Sequence, residues 1–425
     1  MDNFNVSMYE YYLNHTERLG NASKALVFYG KYLSRQQFVS EVNIFANFLL
    51  SVGIKKGDNV LLCLGNIPNA IVCFYAINSI GAIVNVTHPL IAGNNLQQIA
   101  TTMNSKAFIV FDEFCNKYQW LFSQEKPVVI CSASDYLPIV AKQVYPLMIA
   151  KKTKCIRYSE NIVKYRDIKK NSIKQKEKFV DKNVNDKENN VIDNIIDESN
   201  IVDDKNVINN KNIVDKENNN VVVGNDTAVF MHSGGTSGQP KTVEMSNEAF
   251  NHLVANMRAH IGGDLTDKDG MLMALPIFHT FGLGICMHTM LCLGGQCVLM
   301  PKFDGKKACH LIKKYNCTFI SGVPNMYRKI VFCGKFKGKK IAKIKSCYCG
   351  GDKLSKDVFD KFAQQMKTVG RDLNISEGYG LTEACICAIN KLDNFKFGSV
   401  GLAAQGSQFE VVDEARNFVG TNKVG

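Results

Sequence analysis

The chain has 425 residues, of which 46% are hydrophobic and 21% charged, with a formal net charge of +12 and 15 cysteines. This composition excludes a mini-protein, a collagen and wholesale disorder, and the length suits two or three domains. Basic residues are scattered rather than gathered into an arm, which argues against a nucleic-acid partner but leaves room for phosphates, acidic cofactors or an anionic lipid surface as a peripheral membrane contact.

The opening stretch MDNFNVSMYEYYLNHTERLG has neither the basic start nor the apolar centre of a secretory signal. The apolar runs from Ala70 to Val86 and from Gly282 to Met300 are interrupted by Asn78, Ser79, Gly81, His288, Gly294 and Gly295, so neither reads as a membrane span. The cysteines form no CxxC pair and read as small buried apolar residues in a reducing compartment. A cytoplasmic protein without a zinc site is the expectation.

Taken in order, Phe38, Val42, Phe45 and Leu49 recur at helical spacing between Ser34 and Leu50, and Gly53 stops the helix. Strands are expected at Val60–Leu64, Ala82–Val86 and Ala107–Phe111, with helices over Asn69–Ile80 and Asn95–Met103 between them. Further strand-like runs follow at Gln296–Met300, Cys317–Ser321, Ile344–Tyr348, Asn374–Glu377 and Phe409–Val412, with a turn around Ala415–Asn417. The alternation predicts an α/β protein with largely parallel sheets.

Composition divides the chain into a first α/β half at 1–158, a low-complexity insert at 159–224, a second α/β half at 225–400 and the start of a small β subdomain at 401–425. Within the insert, residues 171–220 hold 14 Asn, 8 Lys and 11 acidic residues, and DKENN occurs twice. Such a stretch has too few apolar residues to offset chain entropy and is expected to be disordered.

The richest local signal is AVFMHSGGTSGQPKTVEMS at Ala228–Ser246. A strand runs into a loop of three glycines, with hydroxyl groups and Lys241, which suits an anion held by backbone N–H groups and a point charge. A P-loop NTPase would need glycine directly before the lysine, where Pro240 offers no N–H.

The loop Ser233–Lys241 resembles the signature of the adenylate-forming (AMP-binding) superfamily of acyl-CoA synthetases and 4-coumarate ligases. LPIFHTFGLG from Leu275, SCYCGGDKL from Ser346, SEGYGLTEA from Ser376 and KFGSVGLAAQGSQFEVVD from Lys396 follow in that family's order. The resemblance implies two α/β sheet subdomains and the start of a small β subdomain. It also implies an ATP-dependent ligase that converts a carboxylic acid, fatty or otherwise hydrophobic, to an acyl-adenylate and passes it to coenzyme A.

By that resemblance Ser233, Gly234, Gly235, Thr236, Ser237, Gly238 and Lys241 surround the β- and γ-phosphates. Gly350, Gly351, Gly378, Tyr379 and Gly380 border the adenine, Thr382 meets the α-phosphate and Glu383 holds Mg²⁺. Phe278, His279 and Phe281 line the acyl site, with His279 also a candidate for contact with the reacting carboxyl. In the family, the ribose-binding Asp, the hinge and a C-terminal domain follow the point where this sequence stops. A fragment, a partner chain supplying that domain, and a nucleotide- or acyl-binding module without ligase activity all remain open at this point.

Overall fold

The computed structural model describes all residues except 1, 173–220, 234–240, 392–394 and 421–425. The core of the predicted insert, and the loop between Ser233 and Lys241, therefore lie outside the described residues. The fold is built on two sheets. The first contains β3 (Asn59–Cys63), β4 (Ile83–Val86), β5 (Ala107–Phe111), β6 (Val128–Cys131), β7 (Ile162–Lys164), β8 (Thr227–Ser233) and β9 (Lys241–Ser246). Its order is β7-β6-β5-β3-β4-β8-β9, parallel except for the β9 edge.

The second sheet contains β1 (Lys24–Phe28), β2 (Lys31–Ser34), β10 (Gly270–Met273), β11 (Gln296–Leu299), β12 (Phe319–Gly322), β13 (Ser346–Cys349), β14 (Ile375–Leu381), β15 (Cys385–Ile389) and β16 (Leu402–Ala403). These run in the order β16-β15-β14-β13-β12-β10-β11-β1-β2, with a parallel centre from β14 to β1 and antiparallel edges. Strands from both sides of the Asn-rich stretch enter both sheets, since β8 joins β4 and β1 joins β11.

Alternation along the strands sorts the core into three clusters. Leu61, Cys63, Phe108 and Val110 face outward under the helix Gly93–Thr102, whereas Val60, Leu62, Val84 and Ile109 face the space between the sheets. In the second sheet Leu272, Val298, Ile320 and Cys347 face outward under the helices Gly305–Tyr315, Pro324–Val331 and Lys356–Lys367, while Met271, Cys297 and Phe319 face inward. Five layers result, alternating helix and sheet. Because both faces are covered, the central strands are apolar throughout rather than alternating with polar residues.

The middle layer holds the helix Pro68–Ser79, in which eleven of twelve residues are buried. An all-round apolar helix is what burial between two sheets requires. Two of its polar side chains are answered inside: Asn78 accepts from the Tyr9 N–H at 3.0 Å and donates to Asn247 at 2.6 Å, and the Tyr75 hydroxyl meets His288 at 2.9 Å. The helix Arg35–Ser51 opens with Ser34 and Gln37 capping each other's backbone N–H groups.

Most expected elements appear within two residues of their predicted bounds. The strand expected at Ile344–Tyr348 is displaced to Ser346–Cys349, and the one at Asn374–Glu377 extends to Leu381. The strand expected at Phe409–Val412 does not form: only an isolated bridge joins Val412 to Phe418, and Phe409 and Phe418 are exposed, so no apolar face holds a ladder there. Residues 159–172, which composition places in the insert, carry β7 and a helical stretch over 165–172 whose Tyr165 is buried against Tyr136 and Glu41. Among the described residues no helix is long and apolar enough to cross a membrane.

Candidate active site

Parallel strands release their loops at one edge, and ligands of open α/β sheets bind outside the strands' carboxyl ends. Here two such edges are tied together. Buried Asn66, just past β3, donates through its amide to the Met273 carbonyl at 3.2 Å and the Leu275 carbonyl at 2.9 Å, just past β10. The His88 ring, past β4, lies 4.5 Å from the Phe278 ring, which in turn lies 4.9 Å from His279. Desolvation first and the neighbouring His88 second lower the His279 pKa from its ordinary value, and desolvation followed by Lys117 does the same for His88. Both imidazoles are therefore neutral at pH 7.

The LPIFHTFGLG segment turns into π-helix at Phe281–Thr289, a rare form that recurs at functional sites. Its glycines have a steric reason. A Cβ on Gly282 would sit 2.0 Å from the Pro276 carbonyl oxygen, and one on Gly284 would sit 2.5 Å from Leu253 of the helix Asn247–Ile261.

Three motifs far apart in the chain then converge on Gly350. A Cβ added there would stand 3.4 Å from the Phe281 ring and 3.4 Å from the Gly378 carbonyl oxygen. Gly351 follows with φ +83°, a conformation that side chains rarely adopt. In the hairpin of β14 and β15, a Cβ on Gly380 would lie 2.0 Å from the Cys385 carbonyl oxygen, so the turn closes only on glycine. Tyr379 is left 42% exposed, with its ring 6.4 Å from Phe409. Thr382 is half-buried and Glu383 exposed at the tip of the turn.

Glu377 is a residue that the sequence reading missed. Its buried carboxylate accepts from the Leu354 N–H at 3.0 Å and the Gly398 N–H at 3.2 Å, pinning the segment after Gly350–Gly351 and the segment before β16 to the same strand end. The signal was a carboxylate following the apolar start of β14 with no basic neighbour in sequence, which, once buried, has to be satisfied by backbone donors.

On the other sheet β8 and β9 form a hairpin in which Ser233 pairs with Lys241, so the segment between them begins and ends side by side. Gly234, Gly235, Thr236, Ser237 and Gly238 lie outside the described residues. Lys241 is exposed. Beneath it His232 spans two strands: Nε2 lies 2.6 Å from the Asn85 Oδ1 and Nδ1 lies 3.1 Å from the Thr242 hydroxyl. Because the Asn85 oxygen only accepts, Nε2 carries the proton and Nδ1 accepts from Thr242. Desolvation lowers the His232 pKa, in keeping with that neutral form.

Behind the β14–β15 hairpin lies a cavity of ≈ 250 Å³ with Leu253, Met257, Ile386, Ile389, Leu402 and Ala403 among its lining residues. Ile386 and Ile389 are the register partners of Gly380 and Gly378, so the cavity abuts the glycine-rich turn directly. Phe278, His279 and Phe281 stand at the neighbouring strand edge rather than among the lining residues. Leu253 and Met257 sit at i and i+4 on an amphipathic helix, a spacing that by itself reads as core.

The sequence model of the AMP-binding enzyme family matches residues 15–425, and the chain belongs to that family. It is 28% identical to the long-chain-fatty-acid–CoA ligase of Bacillus subtilis (strain 168) over 366 residues, covering 85% of this chain and 57% of that protein. It is 21% identical to the 4-coumarate–CoA ligase CCL1 of Humulus lupulus over 373 residues, covering 85% and 56%. The chain thus spans little more than half the length of these curated relatives. Among solved structures it is similar in fold to an acyl-CoA synthetase of Brucella canis, with TM-score 0.68, 18% identity and coverage of 99% and 66%. The luciferase-like enzyme of the mealworm Zophobas morio gives TM-score 0.70, 16% identity and coverage of 98% and 84%.

Proposed function

We propose that the protein acts as an ATP-dependent acid–thiol ligase, joining a hydrophobic carboxylic acid to the α-phosphorus of ATP with loss of pyrophosphate and passing the acyl group to coenzyme A. The observation that carries this reading is the meeting of Phe281, Gly350 and Gly378 beside an open pocket whose wall mixes Leu253, Met257, Ile386 and Ile389 with Asn256, Lys391 and Gln405. Tyr379 offers its exposed ring as a platform for adenine, while Gly350, Gly351 and Gly380 let backbone approach it closely. The Thr382 hydroxyl donates to the α-phosphate. Ser233 and Lys241, with Gly234 to Gly238 between them, hold the β- and γ-phosphates.

Among the described residues no group of three His, Cys, Asp or Glu side chains could hold a metal. Mg²⁺ takes one or two carboxylates and completes its octahedron with phosphate oxygens and water, and Glu383 at the turn tip would supply the carboxylate. When bound, Mg²⁺ neutralises phosphate charge. Neutral His279 donates or accepts a hydrogen bond at the reacting carboxyl without adding a charge of its own, and the cavity behind the hairpin takes the acyl chain. A reducing, cytoplasmic setting is supported by 15 free cysteines, twelve of them buried.

The test is acid-dependent exchange of pyrophosphate into ATP by the full-length protein, across carboxylic acids of increasing apolar length. Exchange with the longer acids is expected, falling about 100- to 1000-fold in Lys241→Ala, the scale on which preorganised charge acts in other enzymes. Glu383→Gln should weaken Mg-ATP binding more than binding of an acyl-adenylate analogue. ATP binding without exchange for any acid would instead favour a nucleotide-binding module.

A further inference from the structure

The helix Ile139–Thr153, between β6 and β7, is apolar yet has only Ile149 buried. Ile139, Val140, Val144, Leu147 and Met148 are between 48% and 78% exposed, a quarter of the large hydrophobic side chains exposed among the described residues. At 3.6 residues per turn, Val140, Val144, Leu147 and Met148 fall within an arc of about 100°. The opposite side and the flank beside Met148 hold the helix to the protein. Ile149 is buried there, the Tyr145 hydroxyl donates to Asp112 at 3.0 Å, and the Lys152 ammonium pairs with Glu113 at 2.8 Å. The apolar stripe therefore points away from the fold, with nothing of the described residues over it.

Charge says what covers it. From Tyr136 to Ser159 there is no acidic residue, while Lys142, Lys151, Lys152, Lys154 and Arg157 are basic. Lys151 and Lys154 are exposed and prolong the stripe by one turn. An apolar stripe ending in cations suits the boundary between headgroups and acyl chains of an anionic bilayer. Tyr145 and Lys152 reach Asp112 and Glu113, just beyond the carboxyl end of β5, so the helix lies across the sheet edge from which Asn66 and His88 also emerge. We propose that the helix Ile139–Thr153 is a docking surface for an anionic phospholipid bilayer, seating the first sheet's carboxyl edge toward the membrane. That the site would thereby meet an acid dissolved in lipid rests on the ligase reading; the docking itself does not.

The experiment is co-sedimentation of the full-length protein with vesicles of phosphatidylcholine, alone or with one third phosphatidylglycerol. Stronger binding to the anionic vesicles, weakening as salt rises, is expected. Leu147→Glu with Met148→Glu should lower the partition coefficient at least about tenfold while leaving the melting midpoint unchanged, and Lys151→Glu with Lys154→Glu should remove most of the salt-dependent part. Three outcomes overturn the proposal. One is binding no better than to phosphatidylcholine alone, or unchanged in the Leu147/Met148 variant. Another is a fall in that variant's mass by light scattering with no effect on vesicles, which assigns the face to a second copy. The third is a lowered midpoint in that variant, which means that the stripe is covered within the molecule by residues such as 173–220.

Discussion

The helices Pro68–Ser79 and Ile139–Thr153 both connect strands of the seven-stranded sheet, both are rich in apolar residues and neither contains an acidic one. Their surroundings are opposite: eleven of twelve residues are buried in the first and one of fifteen in the second. The difference follows from where each connection leaves the sheet. β3 and β4 are central and their helix faces the second sheet, so every side of it meets protein. β6 and β7 are at the edge, and their helix lies over the strand ends with one side open. Apolarity therefore gives the need for a covering surface, and topology decides whether the fold itself supplies it.

The sharpest way to break this comparison is to cut into the central helix. Phe74→Ala leaves a cavity between two sheets that cannot collapse independently, and a loss of about 3–5 kcal/mol is expected, read from urea denaturation at constant slope. A loss below about 1 kcal/mol would mean that the middle layer is less tightly packed than described.

The exposed helix is held partly by a titrating contact, which gives a pH signature. Desolvation raises the Asp112 pKa to about 6, against hydrogen bonds from Ser132 and Tyr145 that lower it. An acid whose pKa is higher folded than unfolded stabilises the fold while it is protonated. That contribution is complete below the unfolded value near 4 and is lost as pH rises through about 6, with a size on the order of 2–3 kcal/mol. Stability of the parent protein relative to Asp112→Asn should therefore fall between about pH 4 and 6.5. A flat difference across that range would show Asp112 to be hydrated.

Glu377 ties the glycine loop to the hairpin, and Glu377→Gln replaces one acceptor by a donor facing an N–H. A cost of about 1–3 kcal/mol is expected. If the two hydrogen bonds position the nucleotide surface, the nucleotide dissociation constant should rise by more than it does for a surface variant of equal stability, which titration calorimetry can resolve.

Much of the fold was legible because buried parallel strands are short apolar runs bounded by turn residues, as in Val60–Leu64 and Ala107–Phe111. The glycines of the motifs stand out in the sequence, but the steric reason for Gly282 and Gly380, a backbone oxygen 2.0 Å from any Cβ, is set by the fold. What was not legible depends on neighbours distant in sequence. Glu377 gains its meaning from Leu354 and Gly398, Asn66 from Met273 and Leu275, and the cavity wall from Leu253 meeting Ile386 across the fold. The strand expected at Phe409–Val412 had the right local pattern and no partner ladder. The centre of the Asn-rich insert lies outside the described residues, and at its flank Tyr165 and Lys169 are drawn onto Glu41, a carboxylate more than a hundred residues earlier.

The smallest expected effect tests the other side of the comparison. Leu147 is 78% exposed and Met148 75%, so Leu147→Ser and Met148→Ser remove little buried area and leave no cavity. Each should change stability by less than about 0.5 kcal/mol, the range of surface substitutions that touch no packed group. Ile149→Ser, one residue further along, is the internal control: its side chain faces the fold, and losing that contact should cost several times more. Hydrogen exchange of the amides from Lys142 to Ala150 would show where the loss falls. Faster exchange in Ile149→Ser alone means that the helix is seated through its inner side as described, whereas faster exchange in Leu147→Ser as well would place Leu147 in a packed contact and remove the contrast with the central helix.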